Sequence, residues 1–220
     1  MCGIYGSTCF NKFKELYTSN TSRGNFANGH VFINSTAGKR SLHISKSPGV
    51  RIYKDGPTPG DVMFLGHTQS PTGSIRDYHP TTTHPFESKN WIVAHNGVIN
   101  NYVELKRAFS PTSKCDVDSS VVVELLELLS QPGQNINHVV RDTLNMIKGT
   151  YGLFMYYKKQ DILYVARSGS TLYCSPNDCS FSSTMSTGMV ELPEHAVYRV
   201  IDGCLVSVAE LANNSSFLIL

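Results

Sequence analysis

The chain has 220 residues, of which 40% are hydrophobic and 16% are charged, and its formal net charge at pH 7 is +2. This length suits one domain with a sizeable core, and the composition is that of a folded globular protein. No run of Lys and Arg interleaved with aromatic residues marks a nucleic-acid surface. No apolar stretch approaches the ~20 residues that span a bilayer. We therefore expect neither a nucleic-acid nor a membrane partner.

Taken in chain order, the sequence predicts mostly strands. Runs rich in β-branched or aromatic residues, bounded by Gly, Pro, Asn or Ser, occur at 2–8, 30–34, 51–54, 62–67, 91–95, 153–158, 162–166, 197–201 and 205–208. Apolar residues at helical spacing occur at 13–19, 118–130 and 136–148. Many strands with helices between them suggest an α+β fold in which antiparallel sheets stack and helices cover them. No repeat or linker divides residues 1–220, so a single domain is expected.

The cysteine pattern favours a reducing compartment. None of the six cysteines belongs to a CxxC pair, and the first ten residues lack the basic start and long apolar stretch of a secretory signal. The cysteines are therefore interpreted as reduced thiols in a cytoplasmic protein. The eight histidines show no HxxxH spacing, so neither a metal site nor another cofactor is expected.

The N-terminus carries the most informative hexapeptide, Met-Cys-Gly-Ile-Tyr-Gly. Cysteine is small enough for removal of the initiator methionine, which would make Cys2 the N-terminal residue. Its α-amine, with a pKa of about 7.7–8.0, would then lie a few bonds from a thiol that titrates at about 8.5. One residue can thus supply nucleophile and base at neutral pH. From Met-Cys alone, a buried structural cysteine remains the favoured interpretation.

A second candidate lies at the end of the strand predicted at 91–95, in Asn96-Gly97. A side-chain amide next to a backbone N–H that no Cβ shields makes a two-donor pocket for a developing oxyanion. Asn-Gly is also the strongest hairpin turn signal. Both interpretations can hold together.

Other segments extend this pattern along essentially the whole chain. They are Met1-Cys2-Gly3-Ile4, Arg23-Gly24 with Gly29, Gly66-His67-Thr68, His84-Pro85, His95-Asn96-Gly97, Asp118-Ser119-Ser120-Val121-Val122, Gly149-Thr150-Tyr151-Gly152-Leu153 and Ala166-Arg167-Ser168-Gly169-Ser170. Together, in this order and at these distances, they resemble the class II glutamine amidotransferases. Members of that family include the glutaminase domains found in glucosamine-6-phosphate synthase, asparagine synthetase and amidophosphoribosyltransferase. Each segment alone is a weak signal, and the set is specific.

The resemblance implies a fold and a mechanism. The fold would be the N-terminal nucleophile (Ntn) hydrolase fold, a four-layer αββα sandwich of two antiparallel sheets flanked by helices, which agrees with the strand pattern. The Cys2 thiolate would attack the side-chain amide of glutamine, while Asn96 and the Gly97 N–H hold the oxyanion. Ammonia would leave, water would hydrolyse the thioester, and the Cys2 amine would shuttle protons.

One position departs from the family pattern. Gln69 stands where the family has an arginine that clamps the α-carboxylate of glutamine, a charge-assisted contact of about 1.5–3 kcal/mol. Arg76 lies seven residues farther on, in the long polar loop expected at 70–89, and could replace it. Alternatively the substrate is a γ-glutamyl or other amide without a free carboxylate there, or glutaminase activity is weak or lost.

The remaining binding residues also follow from the resemblance. The family uses an aspartate at this helix start to bind the substrate's α-amino group, and both Asp116 and Asp118 are available. Asp118 is preferred because the apolar helix pattern follows it in register, although it could be a plain N-cap. Thr72 and His84 match positions that line the glutamine pocket or its covering loop.

The expected function is therefore a glutamine amidohydrolase or amidotransferase subunit that releases ammonia through a Cys2 thioester. Nothing follows residue 220, so the sequence suggests a separate synthase or acceptor subunit as partner. A hydrolase of a γ-glutamyl or related amide is the alternative enzyme. A catalytically weak regulatory homologue is the third possibility.

Overall fold

The computed structural model describes residues 2–53, 56–70, 77–109 and 115–212. Its helices are α1 (Phe10–Asn20), α2 (Tyr102–Phe109), α3 (Ser120–Leu129) and α4 (Ile136–Met146), with a short 3-10 turn at Pro80–Thr82. Its strands are β1 (Gly3–Ser7), β2 (Ala27–Thr36), β3 (Lys39–Pro48), β4 (Asp61–Gln69), β5 (Phe86–Glu87), β6 (Trp91–Ile99), β7 (Gly149–Tyr157), β8 (Ile162–Ser168), β9 (Tyr173–Cys174), β10 (Phe181–Ser182), β11 (Val190–Glu191), β12 (Ala196–Ile201) and β13 (Cys204–Glu210). Within these ranges, no helix is long and apolar enough to cross a membrane.

The strands of the described ranges form two sheets, and their paired strands run antiparallel. One sheet has the order β11-β9-β10-β1-β4-β2-β3, and the other has the order β13-β12-β8-β7-β6-β5. Strand β1 lies inside the first sheet, where Gly3 faces Thr68 of β4 and Tyr5 faces Ser182 of β10. Strand β6 lies inside the second sheet, where Asn96 faces Gly152 of β7.

The two sheets pack face to face because side chains alternate along each strand. In β1, Ile4 points into the core between the sheets, together with Ile92 of β6 and Phe154 of β7. Its neighbour Tyr5 points to the opposite face, where α1 covers it. All of these side chains are at most 1% exposed.

Helices cover both outer faces. Phe13 of α1 packs its ring on Tyr5 at 5.4 Å between centroids, and the two belong to one apolar cluster. On the other side, α3 and α4 bury Leu126 and Leu144 against Trp91 of the second sheet. The layers therefore run helix, sheet, sheet, helix, which confirms the α+β four-layer prediction.

One local prediction was wrong, the strand expected at 51–54, of which residue 54 lies outside the described residues. Residues 51–53 form no strand, because Tyr53 packs its ring among the aromatic side chains under α1 and Ile52 is 77% exposed. The edge strand β3 and the helix α2 were not predicted. Both bury little: β3 has no fully buried residue, and Leu105 is the buried residue of α2.

Candidate active site

A cavity of about 520 Å³ opens where β1 begins and β6 ends. It brings together five residues that the sequence analysis singled out, although they come from distant parts of the chain: Cys2, His84, Asn96, Gly97 and Asp118. Cys2 immediately precedes β1 of the first sheet, and Asn96 belongs to β6 of the second. The stacking of the two sheets therefore places the predicted nucleophile beside the predicted oxyanion donors.

The Cys2 thiol is held at the cavity wall by contacts with neighbouring loops. Its Sγ–H donates to the Ser70 carbonyl at 3.5 Å, and the Arg23 Nε–H donates to the Cys2 carbonyl at 2.8 Å. Burial has the largest effect and raises the pKa of the thiol, the Ser70 carbonyl contact, the N-terminal charge and the Arg23 charge lower it in part, and the Asp118 carboxylate adds to the rise. The free thiol is consequently protonated at neutral pH, and attack through it requires a base.

The position after Asn96 must be glycine. Gly97 has φ of 145°, and a Cβ placed there would lie 2.0 Å from the Thr150 carbonyl oxygen. A side chain is therefore excluded both by conformation and by space. Asn96 itself is 3% exposed, and its Nδ2 donates to Ser183 Oγ at 3.4 Å. These two adjacent residues give the cavity the side-chain amide and the unshielded backbone that an oxyanion pocket needs.

Asp118 is anchored between the end of β6 and the start of α3. Its Oδ2 accepts from the Ile99 N–H at 2.7 Å, and its Oδ1 accepts from the Ser119 N–H at 2.8 Å. The carboxylate therefore has a fixed position in the cavity wall, where it can bind a substrate amine. Asp116 lines the same cavity but is exposed.

The buried histidines act as structural supports. His95 Nε2–H donates to the Thr150 carbonyl at 3.2 Å, so the neutral ring accepts the Ser119 Oγ–H at its Nδ1, at 2.7 Å. The His67 ring stacks on His84 at 4.0 Å between centroids, and its Nε2–H donates to the His95 carbonyl at 3.1 Å. Burial lowers the pKa of His95 and brings that of His67 to about 3. Both rings are therefore neutral at physiological pH.

Gln69 does not line the cavity. It is 2% exposed, and its Nε2 donates to the Thr82 carbonyl at 3.3 Å. Its proposed role in substrate binding stays a prediction without support from this position. Thr72 and Arg76 lie outside the described residues, so their roles also remain predictions.

Ser183 is a site residue that sequence reasoning missed. It lies just after β10, and its Oγ contacts both Ile4 and Asn96. A serine in a run of serines and threonines carries no distinguishing signal. Its proximity to the site arises only from the pairing of β10 with β1.

A four-layer αββα sandwich, with a cysteine that lies just before an inner strand and shares a cavity with an Asn-Gly pair on the other sheet, is the arrangement of the class of N-terminal nucleophile enzymes. Within it, the chain belongs to the class II glutamine amidotransferases: the model of the glutamine amidotransferase domain family matches residues 74–187. The resemblance inferred from the sequence is thus confirmed.

Known proteins are similar to this chain in sequence or in fold. The chain is 29% identical over 184 residues to a glutamine–fructose-6-phosphate aminotransferase (isomerizing) of Halalkalibacterium halodurans, covering 81% of this chain and 31% of that protein. Its fold is similar to that of the glutamine phosphoribosylpyrophosphate amidotransferase from Bacillus subtilis, with a TM-score of 0.70 and 17% identity, covering 97% of this chain and 50% of that one. A structure of the allosteric regulatory enzyme of purine biosynthesis gives a TM-score of 0.73 at 20% identity, with the same coverage. The chain spans about a third of the length of the curated relatives it matches.

Proposed function

We propose that this chain is a glutaminase, in which Cys2 becomes N-terminal on removal of Met1 and attacks the side-chain carboxamide of glutamine. The observation that carries the proposal is that Cys2, Asn96, Gly97 and Asp118 share one cavity. Each alone has a structural explanation. A partly buried thiol, two potential oxyanion donors and an anchored carboxylate in one cavity together provide the parts that amide hydrolysis needs.

The proposed reaction begins with proton transfer from the Cys2 thiol to the neutral α-amine, directly or through one water. The thiolate sulfur then bonds to the amide carbon, and the carbonyl oxygen becomes an oxyanion that accepts from Asn96 Nδ2 and the Gly97 N–H. The α-ammonium returns its proton to the amide nitrogen, the C–N bond breaks and ammonia leaves. Water then attacks the γ-glutamyl thioester, giving glutamate and restoring the thiol.

Substrate orientation is proposed to depend on Asp118. The α-ammonium of glutamine would bind the carboxylate, whose position two backbone N–H donors fix. A charge-assisted contact of this kind contributes about 1.5–3 kcal/mol. His84, which lines the cavity next to this region, would contact the bound substrate.

We propose that the ammonia is transferred to an acceptor held by a separate synthase unit. The matched relatives are named for aminotransferase and amidotransferase reactions, and this chain corresponds to only part of each.

Gln69 favours a second candidate, a hydrolase of γ-glutamyl amides whose α-carboxylate is not free. Because Gln69 is uncharged and its amide donates to the Thr82 carbonyl, the first proposal assigns the carboxylate clamp to Arg76. Under the first proposal, Arg76→Ala raises the KM for glutamine about 10- to 100-fold, and the exposed Arg107→Ala does not. Under the second, a γ-glutamyl amide with a blocked carboxylate is the faster substrate, and Arg76→Ala changes neither rate.

Ammonia release from glutamine tests the proposed function directly. We expect the wild-type chain to release ammonia and Cys2→Ala to release none, because no other group supplies the nucleophile. Cys9→Ala is the matched control, since this exposed thiol lies beyond the far end of β1 and should leave the rate unchanged. Equal rates for wild type and Cys2→Ala would contradict the proposal.

A further inference from the structure

One buried hydroxyl joins the nucleophile strand of one sheet to the proposed oxyanion group of the other. Ser183 is 1% exposed. Its Oγ accepts from the Ile4 N–H at 3.0 Å and from Asn96 Nδ2 at 3.4 Å. Ile4 lies two residues after Cys2. The Ser183 hydroxyl therefore contacts both β1, which follows Cys2, and the Asn96 side chain of β6.

The backbone of Ser183 is fixed independently of its side chain. Its N–H donates to the Ile4 carbonyl at 2.8 Å, and its carbonyl accepts from Thr171 Oγ1 at 3.0 Å and from Arg23 Nη1 at 3.3 Å. The same Arg23 donates through Nε to the Cys2 carbonyl. Arg23 thus links the backbones of Cys2 and Ser183 through hydrogen bonds to both carbonyls. Removal of the Ser183 hydroxyl would leave these backbone hydrogen bonds in place.

The Asn96 amide needs such support to act as a donor. An asparagine side chain carries two N–H donors on one nitrogen, and it can rotate about its own bonds unless neighbours hold it. With one N–H engaged by Ser183 Oγ at 3.4 Å, rotation of the amide is restricted, and the second N–H can donate to another acceptor. A donor that is already oriented stabilises a developing charge without reorganising during the reaction.

We propose that Ser183 is a positioning residue for the oxyanion pocket: its hydroxyl holds the Asn96 amide, so that the free N–H points at the carbonyl oxygen of the substrate. This role rests on the proposed glutaminase function. Ser183 does not touch the substrate, and it acts through Asn96.

The role predicts a specific kinetic signature. Ser183→Ala should lower kcat about tenfold, less than complete loss of an oxyanion donor, and leave the KM for glutamine nearly unchanged. Ser180→Ala is the matched control, because Ser180 is as buried and its Oγ donates to Ser7 Oγ at the far end of β1. It should keep wild-type kcat.

A double-mutant cycle separates positioning from general support of the fold. In an Asn96→Ala background there is no amide left to hold, so Ser183→Ala should cause no further fall in kcat. An equal fall in both backgrounds, an equal fall in Ser180→Ala, or wild-type kcat in Ser183→Ala would each overturn the role.

A second readout keeps this test separate from the proposed function. If the wild-type chain releases no ammonia, the glutaminase proposal fails, and the NMR resonances of the Asn96 side-chain amide still report its surroundings. Those resonances should shift or broaden in Ser183→Ala and stay in place in Ser180→Ala. Unchanged resonances in Ser183→Ala would overturn the positioning role whatever the activity.

Discussion

At the scale of single residues, burial keeps the Cys2 thiol protonated. Burial has the largest effect and raises the pKa of the thiol, and the Asp118 charge adds to the rise, while the Ser70 carbonyl contact, the N-terminal charge and the Arg23 charge oppose it without cancelling it. A raised thiol pKa means that the thiolate does not form unaided at neutral pH. The proposed base, the α-amine freed by loss of Met1, titrates at about 7.7–8.0.

The pH dependence of turnover follows from this arrangement. The amine must be neutral to accept the thiol proton, so kcat/KM should rise with pH between about 6 and 8 and fall away below the amine pKa. A chain that retains Met1 lacks this amine next to the thiol and should turn over far more slowly. A pH–rate profile paired with intact mass checks both points. A flat profile would count against the amine as base.

Asn96→Ala should lower kcat about 10²- to 10³-fold, because one preorganised donor to the oxyanion is lost. The KM for glutamine should change little, since this contact forms fully only in the transition state. Steady-state ammonia release measures both constants. Asn100→Ala is the control, because this exposed residue just after β6 lies outside the cavity lining. A large rise in KM for Asn96→Ala would assign it to substrate binding instead.

Asp118→Asn tests which carboxylate binds the substrate amine. The substitution keeps the side-chain shape and removes the charge, so the KM for glutamine should rise about 10- to 100-fold. Asp116→Asn, in the same cavity but exposed, should have a much smaller effect. A glutamine analogue without the α-amine should not distinguish wild type from Asp118→Asn. If Asp116→Asn has the larger effect, the two roles are reversed.

At the scale of elements, strands β6 and β7 fix the oxyanion pocket through their pairing. Gly97→Ala would force a Cβ to within 2.0 Å of the Thr150 carbonyl on β7 at an unfavourable φ. We expect a lower melting temperature and little or no ammonia release. Gly152→Ala is the matched control, because a Cβ at this buried β7 position meets its nearest neighbour at 3.7 Å. Thermal unfolding and ammonia release are measured for both variants. If Gly97→Ala behaved like wild type, as the control Gly152→Ala should, this account would be contradicted.

Elements were predictable from the sequence where they bury a regular apolar pattern. Strands such as β6 and β7 and helices such as α3 and α4 have fully buried faces, and their periodicity identified them. In contrast, β3 alternates Leu42 and Ile44 with charged and polar residues at a sheet edge. Its residues bury too little to produce a recognisable signal, and a strand at an edge depends on its neighbour for definition.

At the scale of the whole molecule, the site exists only because the two sheets stack. Cys2, Asn96 and Asp118 were predicted from local motifs and lie on one cavity. The sequence could not reveal the contact of Ser183 with Ile4 and Asn96. That contact requires β10 to pair with β1, although most of the chain separates these two strands in sequence. The turn of the Gln69 amide toward Thr82 is likewise a property of tertiary packing.

The most direct test of the central claim is covalent labelling with a diazoketone analogue of glutamine, followed by intact and peptide mass spectrometry. We predict one label per chain, on Cys2 of an N-terminal peptide that lacks Met1, with loss of ammonia release in proportion to labelling. Glutamine should protect against the label. Retention of Met1, a label on another cysteine such as Cys9, or full activity of the labelled chain would contradict Cys2 as the N-terminal nucleophile.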